Sequence, residues 1–449
     1  MTATQAPHDP DTTSSTESVK PARRPVVISL MDRNVTILGG QEVRWGRVVQ
    51  ALATPNGRDV TILCTNSLVD SWERGEVGPV GTRLTVFTER GSKLRTWLDA
   101  QTFALRRIPR GAIVHLTGPG MLVLPAAILA RVFKGCTLLT SLTTSRVLPF
   151  RKERFPRKGY WMFRAALAAS HLVDALNPHI DVATLIDPAK LSIAPCSFSD
   201  PSRYQSSGRK VSRVVFAGHF NWQKGSDLLV GIVREWTDDL DCRLVICGTG
   251  SYEPMLRDAA EHRPNVEIKH TWALADVLAD ATVFLSLQQW DNYPSQSLLE
   301  AMLCECCVVA TDVGDTHLLV RQPWGVRLRA DAHPRSYVDA ALRLLSMPSP
   351  DRLRAGEAAR SFVVRHHTRE RYMEYLNALW CSADAVASCC NRERSLAARS
   401  RMADALSQGR VILQVVACAV SLASIRRSVL KPFPVRSTSN FTSLPSALL

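Results

Sequence analysis

The chain has 449 residues, which exceeds one ordinary hydrophobic core, so two domains with tails are expected. Its hydrophobic content of 46% and charged content of 21% exclude a wholly disordered protein. A formal net charge of +14 indicates anionic partners, whether phosphates, nucleic acid or an acidic membrane face. The sequence shows neither an apolar signal-peptide core nor about 20 uninterrupted apolar residues, so a cytoplasmic location without a spanning helix is predicted.

Apart from the run Cys304–Cys307, the twelve cysteines form no CxxC pair, and they show no Cys/His spacing typical of metal sites. Cys304, Cys306 and Cys307 cluster where a predicted helix meets a predicted strand. This pattern favours buried free thiols in a reducing compartment over a zinc site. No metal and no cofactor are predicted.

The N-terminal half alternates strands with helical patterns. Residues 1–24 are polar and are predicted to be a disordered tail, and "PVVISLM" then predicts a buried strand. A glycine pair, Gly39 and Gly40, precedes a helical pattern. The further strand patterns are "DVTILCT", "LTVFT", "AIVHLTG" and "CTLLTSL". Strands that alternate with helices predict a parallel sheet, here a Rossmann-like domain over 25–200.

The pattern restarts after the linker "DPSRYQSSGRK". Strand patterns "VSRVVFAG", "CRLVICGTG", "NVEIKH", "TVFLSL" and "CVVATD" alternate with helical ones, which predicts a second Rossmann-like domain over 201–350. Helices over 351–386 are expected to pack back on the domains. Residues 387–449 lose clear periodicity and are expected to be irregular or disordered. Two such domains in tandem place a ligand cleft between the carboxyl ends of their sheets.

The stretch "GHFNWQKG" follows the first strand of the second domain. Gly218 permits a sharp turn, and Lys224 lies at the entrance of a helix predicted to be capped by Ser226. Lys224 would reach a phosphate there, aided by the helix N-terminus, or would be a solvated loop lysine. Gly248 in "CGTG" would let a base or ribose approach the backbone, and no GxGxxG follows, which argues against a dinucleotide oxidoreductase.

The stretch "DNYPSQSLLEAM" starts as a loop and ends as a helix. The helix is predicted to begin near Ser295–Ser297, so that free backbone amides face the cleft and can hold a diphosphate. Glu300 lies in the first turns of this helix. It would accept hydrogen bonds from ribose hydroxyls, or would merely complement the helix dipole.

These motifs together with "VVATDVGDT" resemble, in this order and spacing, the C-terminal half of glycosyltransferase family 4. The resemblance implies the GT-B fold and retaining sugar transfer from a nucleotide-diphosphate sugar without a metal. By position, Lys224 would bind the diphosphate, Glu300 the ribose, and Asp291 would stand for the first acid of the family's paired-Glu motif. The resemblance and the motifs predict these donor-side residues: Gly39, Gly40, Gly218, His219, Lys224, Gly248, Asn292, Pro294, Ser295, Gln296, Ser297 and Glu300.

The sequence departs from the family pattern at several positions. His219 replaces a usual Arg, so that a fixed charge becomes titratable. Strict spacing from Glu300 leads to Asn292, so either Asn292 or a bulged Asp291 meets the sugar. Glu305 replaces a usual Gly, which makes a left-handed helix end costlier by about 1 kcal/mol. A catalytically impaired protein that binds nucleotide sugar as a scaffold or regulator is therefore the alternative to an active enzyme.

The acceptor is expected to bind the N-terminal half, where the candidates are His115 and Thr143. His115 would otherwise be a structural histidine. Residues 146–167 interleave seven basic residues with aromatic ones, which fits peripheral contact with an anionic membrane or a solvated basic face. The resemblance implies a glycan or lipid-linked acceptor in bacterial surface or extracellular polysaccharide synthesis. Nucleic acid is not an expected partner, because only charge suggests it.

Overall fold

A computed structural model describes residues 23–31, 40–52, 58–75, 84–117, 122–142, 164–176, 186–271 and 273–407. Five sequence predictions lie outside this part of the chain, in whole or for the most part. They concern Gly39, Thr143, the tail over 1–24, the basic segment over 146–163, and the residues after 407.

The N-terminal half contains a seven-stranded parallel sheet. Its strands are β1 (Val26–Leu30), β2 (Val60–Thr65), β3 (Leu84–Phe87), β4 (Ile113–Leu116), β5 (Thr137–Leu142), β6 (Leu172–Ala175) and β7 (Leu191–Ile193). Their order in the sheet is β3-β2-β1-β4-β5-β6-β7. The helices are α1 (Gly40–Leu52), α2 (Asn66–Arg74), α3 (Lys93–Arg107), α4 (Leu124–Lys134) and α5 over 164–169.

The second half repeats this plan with six parallel strands. They are β8 (Val211–Ala217), β9 (Arg243–Cys247), β10 (Val266–Lys269), β11 (Ala281–Ser286), β12 (Cys307–Thr311) and β13 (Gly325–Leu328), in the order β10-β9-β8-β11-β12-β13. The helices are α6 (Ser226–Glu235), α7 (Glu253–Ala260), α8 (Leu274–Ala279), α9 (Gln296–Leu303), α10 (Thr316–Leu319) and α11 (Pro334–Leu345).

Both sheets have the doubly wound order in which the chain leaves the centre in two directions. The two predicted Rossmann-like domains are thereby confirmed as α/β units. Their central strands are apolar on both faces because helices cover both sides; β1, β11 and β12 are buried along their whole length. The order reverses between β1 and β4, and again between β8 and β11. Ligands of such folds bind outside the carboxyl ends of the strands at these points.

Two C-terminal helices follow, α12 (Ser349–His366) and α13 (Arg369–Ser407). Helix α12 packs on the second half through Ala355, Ala359 and Val363. The first turns of α13 return to the N-terminal half, where Tyr372, Leu376 and Trp380 join its core.

The prediction that the chain is irregular from 387 is wrong for 387–407, because α13 continues to Ser407. This stretch is rich in Ala, Arg, Leu and Ser and lacks Gly and Pro. Its helical propensity is therefore adequate although no apolar periodicity marks it.

No helix among the described residues is long and apolar enough to cross a membrane.

Candidate active site

The first two loops of the site flank the reversal point of the second sheet. The loop over 218–225 follows β8, and the loop over 287–295 follows β11. The amide of Gln289 donates to the carbonyl of Gln223 over 3.1 Å, and the rings of Trp222 and Trp290 meet edge to face at 5.1 Å. Gly225 has a φ of 74°, and a Cβ there would lie 1.9 Å from the carbonyl oxygen of Leu287. The close approach of the two loops therefore requires glycine at 225.

The loop after β9 packs against the β8 loop. Gly218 donates its amide to the carbonyl of Cys247 over 3.0 Å, and Phe220 donates to Thr249 over 2.8 Å. A Cβ on Gly248 would stand 2.0 Å from the Gly218 carbonyl oxygen. Backbone therefore meets backbone at Gly218 and Gly248, and the predicted approach of a nucleotide there stays a prediction.

Asp291 brings the turn after β12 to the same edge of the sheet. Its Oδ1 accepts the amides of Tyr293, over 3.1 Å, and Asp315, over 3.4 Å. The side chain lies so close to Gly314 that a Cβ there would come within 2.2 Å of the Asp291 Cβ. Asp291 thus ties two loops together, and Asn292 beside it is half-buried. Four loops therefore converge at the carboxyl edge of the second sheet.

Lys224 ends a short 3-10 turn, Trp222–Lys224, and its amide donates to Oδ1 of Asn221 over 3.0 Å. The lysine and His219 are half-buried, and the Lys224 stem runs alongside Gly218. Helix α6 begins directly afterwards. The prediction that Ser226 caps it is wrong, because the left-handed Gly225 holds the cap position and Ser226 is the first helical residue.

Helices α6 and α9 both begin at this edge. Ser226 Oγ and Ser295 Oγ, one at the start of each helix, are buried hydroxyls without a hydrogen-bond partner. Pro294 and Ser297 are half-buried on either side of the α9 start. The first amides of a helix lack intrahelical acceptors and carry the positive end of its dipole. The arrangement therefore suits an anion such as a diphosphate.

Glu300 in α9 forms a buried ion pair with Arg47 of α1. Nη2 of Arg47 lies 3.1 Å from Oε1 of Glu300, and the side chains are only 7% and 6% exposed. Gln296 Nε2 donates to the same oxygen over 3.3 Å. Nη1 of Arg47 donates to Ser199 Oγ over 3.0 Å, and the guanidinium lies 5.5 Å from the ring centre of Tyr204. The pair joins the two halves of the chain at Glu300, the residue predicted to bind the ribose.

Electrostatics favour the charged form of Arg47. Burial lowers the pKa of Arg47, but the Glu300 carboxylate, together with Tyr204, raises it by more, so that it lies above the ordinary value. Burial and the charge of Glu300 raise the pKa of Tyr204. The sequence prediction did not include Arg47. The available signal was a pair of arginines, Arg44 and Arg47, spaced i and i+3 within an otherwise apolar helix pattern.

His115 lies inside the N-terminal core and is completely buried. Its Nδ1 accepts from Trp380 Nε1 over 3.3 Å, and its Nε2 lies 2.6 Å from Ser141 Oγ. Ser141 donates to Asp174 over 2.6 Å, and Tyr375 donates to the other oxygen of Asp174. Burial, reinforced by Arg44, lowers the pKa of His115 to about 3. The geometry favours the structural alternative for His115 over an acceptor contact.

The cysteine cluster is buried and its thiols are free. Burial raises the pKa of Cys306 and of Cys307 to about 11, so neither thiol is reactive at neutral pH. Within the described ranges, no group of three or more His, Cys, Asp or Glu side chains could hold a metal ion. That the reaction needs no metal stays a prediction.

Comparison with known proteins identifies the domain that carries these loops. Residues 211–347 match the model of the family described as glycosyl transferases group 1. No curated protein matches the sequence. The predicted resemblance is confirmed at the level of group 1, and the narrower assignment to family 4 stays a prediction.

Solved structures of similar fold come from several bacteria. Sucrose-phosphate synthase from Thermosynechococcus elongatus superposes with a TM-score of 0.63 at 14% identity, covering 81% of this chain and 100% of that one. Anabaena Alr3699/HepE, solved with UDP and glucose, has a TM-score of 0.62 at 12% identity, with coverages of 80% and 99%. S. aureus TarM, solved with Fondaparinux, alpha-GlcNAc-glycerol and UDP, has a TM-score of 0.63 at 11% identity, with coverages of 80% and 99%.

These similarities confirm the GT-B fold that the family resemblance implies. The group 1 match covers the second domain, including Lys224, Asp291 and Glu300. The chain thus has the fold of GT-B glycosyltransferases, and its residues 211–347 match the glycosyl transferases group 1 family.

Proposed function

We propose that the chain transfers a sugar, with retention, from a nucleotide-diphosphate sugar to a glycan or lipid-linked acceptor in bacterial surface or extracellular polysaccharide synthesis. The observation that carries the proposal is the convergence of four loops and two helix N-termini at the carboxyl edge of the group 1 domain. UDP in solved complexes of similar fold supports a nucleotide donor.

The diphosphate would lie against the starts of α6 and α9. Its oxygens can accept hydrogen bonds from the buried hydroxyls of Ser226 and Ser295 and from the free backbone amides. Lys224, at the end of its 3-10 turn, supplies a positive charge. His219 adds a second charge when protonated. In a site that excludes water, such groups stabilise charge that develops on a leaving group.

The rest of the donor would extend along the same edge. Gly218 and Gly248 let the nucleoside approach the backbone, and Glu300 would accept hydrogen bonds from the ribose hydroxyls. The transferred sugar would face Asn292, and Asp291 beside it would hold the loop. Gly40, at the start of α1, together with Gly39 would bring the N-terminal loop to the phosphates.

The reaction needs no proton relay from the protein in this proposal. The bond between the sugar anomeric carbon and the diphosphate oxygen breaks, and the acceptor oxygen bonds to that carbon on the same face. The acceptor proton passes to the departing phosphate oxygen. The chain's own residues bind, orient and neutralise the leaving diphosphate.

The acceptor side lies in the N-terminal half. Peripheral contact through 146–167 on the inner face of the membrane would bring a lipid-linked acceptor to a cytoplasmic enzyme. The seven basic residues of this segment support that part of the proposal.

The test is turnover of labelled nucleotide sugars by wild type and the Lys224→Ala variant. Loss of the lysine removes a charge that acts on the leaving diphosphate, so we expect the variant to lose transfer, about 100-fold or more. Its circular dichroism spectrum should match wild type, because the Lys224 side chain is only half-buried. Undiminished turnover in the folded variant contradicts the proposed function.

The second candidate is a protein that binds nucleotide sugar as a scaffold or regulator without transferring it. It is favoured by His219, which replaces a fixed charge, and by Glu305, which replaces a usual glycine at the end of α9. Wild-type protein that binds a nucleotide sugar but neither transfers nor hydrolyses it would establish this candidate.

A further inference from the structure

The ion pair between Arg47 and Glu300 connects the two halves of the chain at the donor site. Arg47 belongs to α1 of the N-terminal half, and Glu300 belongs to α9 of the group 1 domain. Each side chain is less than a tenth exposed, and their charged atoms are 3.1 Å apart. Arg47 also donates to Ser199, which lies in the segment where the chain crosses between the halves.

Stability alone does not account for a pair of this kind. Removing two charges from water is costly, and well-packed apolar residues of similar volume hold a core together equally well or better. A buried ion pair is therefore weak evidence for a stabilising role. A functional requirement for one of the two charges is the remaining explanation, and Glu300 is the charge at the donor site.

The contacts of the Glu300 carboxylate determine how many further hydrogen bonds it can accept. An ionised carboxylate has about four acceptor sites, two on each oxygen. The hydrogen bonds from Arg47 and from Gln296 both go to Oε1, and the Tyr204 hydroxyl also contacts the Glu300 carboxylate. A nucleoside presents two adjacent ribose hydroxyls, which are two donors for a single carboxylate. Arg47, Gln296 and Tyr204 take at most three of these four acceptor sites, so that one remains for a ribose hydroxyl.

We propose that Arg47 is a donor-positioning residue. It fixes Oε1 of Glu300 by an ion pair, so that the carboxylate presents its remaining acceptor site to the ribose hydroxyls of the nucleotide. This inference rests on the proposed function, because it requires a nucleotide at Glu300. It adds that the N-terminal half takes part in nucleotide recognition through one side chain.

The test compares affinities for UDP and 2′,3′-dideoxy-UDP by calorimetry. The two probes differ only in the hydroxyls that Glu300 would bind. Hydrogen bonds to a charged group predict that wild type favours UDP by about 10- to 100-fold. In Arg47→Met this ratio falls towards one, whereas Arg47→Lys, which keeps the charge, retains most of it.

Arg58→Met is the matched control. Arg58 also forms an arginine–carboxylate pair between distant parts of the chain, with Asp384 at 2.9 Å, and its side chain is 2% exposed. Its loss should lower stability and leave the ratio of the two affinities unchanged. If Arg47→Met does not fold, Arg47→Gln replaces it; this variant keeps a donor without the charge and should also lose most of the ratio.

The outcomes separate the inference from the function on which it rests. If folded Arg47→Met or Arg47→Gln prefers UDP over 2′,3′-dideoxy-UDP as strongly as wild type does, the inference is overturned and the proposed function stays intact. Equal affinities of wild type for UDP and its dideoxy form overturn it as well, because Glu300 then meets no ribose. Wild type that binds none of UDP, GDP and ADP overturns the proposed function together with the inference.

Discussion

At the scale of single residues, Asp291 forms hydrogen bonds that hold the loops of the site. Its Oδ1 already accepts two backbone amides, from Tyr293 and Asp315. Asn292 stands at the strict spacing from Glu300 and is half-buried at the same edge. We therefore expect Asn292 to meet the transferred sugar and Asp291 to hold the loop in place.

Substitutions at these two positions distinguish the roles. Asp291→Asn keeps an acceptor oxygen and should leave stability and turnover close to wild type. Asp291→Ala leaves two amides without this acceptor, which should lower the free energy of unfolding by about 1–2 kcal/mol. Asn292→Ala should lower turnover without lowering stability. Turnover that collapses in Asp291→Asn, measured beside an unchanged urea midpoint, would assign the sugar contact to Asp291 instead.

Glu305 shows what a sequence can predict about one residue. Its replacement of a usual glycine predicts a strained left-handed helix end, and the structure confirms this with a φ of 62°. Cys306 donates its amide to Ala301 over 3.0 Å, which closes the end of α9. No comparable signal predicts that Arg47 pairs with Glu300, because that contact depends on how distant segments meet after folding.

Glu305→Gly should therefore stabilise the protein. Relief of the left-handed conformation is worth about 1 kcal/mol, offset in part by the greater freedom of glycine in the unfolded chain. Urea unfolding of Glu305→Gly and of Glu305→Ala measures the effect, because alanine removes the carboxylate but keeps the strained Cβ. A glycine variant no more stable than the alanine variant would show that the strain is negligible.

At the scale of elements, α13 docks on the N-terminal half through a buried polar chain. Trp380 and Tyr375 of α13 donate to His115 of β4 and Asp174 of β6, and Ser141 of β5 connects the two. A fully hydrogen-bonded network of this kind fixes one arrangement of its members. Strand patterns predicted β4 and β5, but not which side chains would meet α13.

This buried hydrogen-bond network predicts that the stability of the protein depends on pH. The ordinary pKa of histidine is 6.5, and burial lowers the pKa of His115 in the folded protein to about 3 because it disfavours the charged form. Between these values the unfolded chain binds the extra proton, so stability is fully present above pH 6.5 and is lost as the pH falls towards 3. His367, whose pKa burial lowers to about 4, acts in the same direction, and Asp174, whose pKa burial raises, opposes both.

Comparison with His115→Gln isolates the histidine, since glutamine can accept from Trp380 and donate to Ser141 without titrating. Between pH 6 and pH 4, wild type should lose up to about 1.4 kcal/mol more stability per pH unit than the variant. Urea unfolding across this range measures the difference. Parallel pH curves for the two proteins would mean that His115 does not titrate on unfolding.

At the scale of the whole molecule, the two halves are joined where the chain crosses twice. His367, between α12 and α13, donates from Nδ1 to the carbonyl of Ser197 over 3.2 Å, and the rings of Phe198 and Tyr372 are 5.4 Å apart. The crossing segments therefore pack on one another. Alternating strand and helix patterns predicted both sheets, because a doubly wound domain is specified by local periodicity. The crossings involve residues more than 150 positions apart, such as Ser197 and His367, so no local pattern reveals them.

The central claim is that the group 1 domain holds a nucleotide-diphosphate sugar at Lys224 and Glu300. Thermal unfolding of wild type and Lys224→Ala with UDP-, GDP- and ADP-sugars tests it most directly, because a ligand that binds only the folded state stabilises it, by about 2.7 kcal/mol at 100 times its Kd. We expect the sugars of one nucleotide to raise the wild-type unfolding temperature and to raise that of Lys224→Ala much less. A wild-type protein that none of them stabilises, or equal stabilisation of both proteins, would contradict the claim.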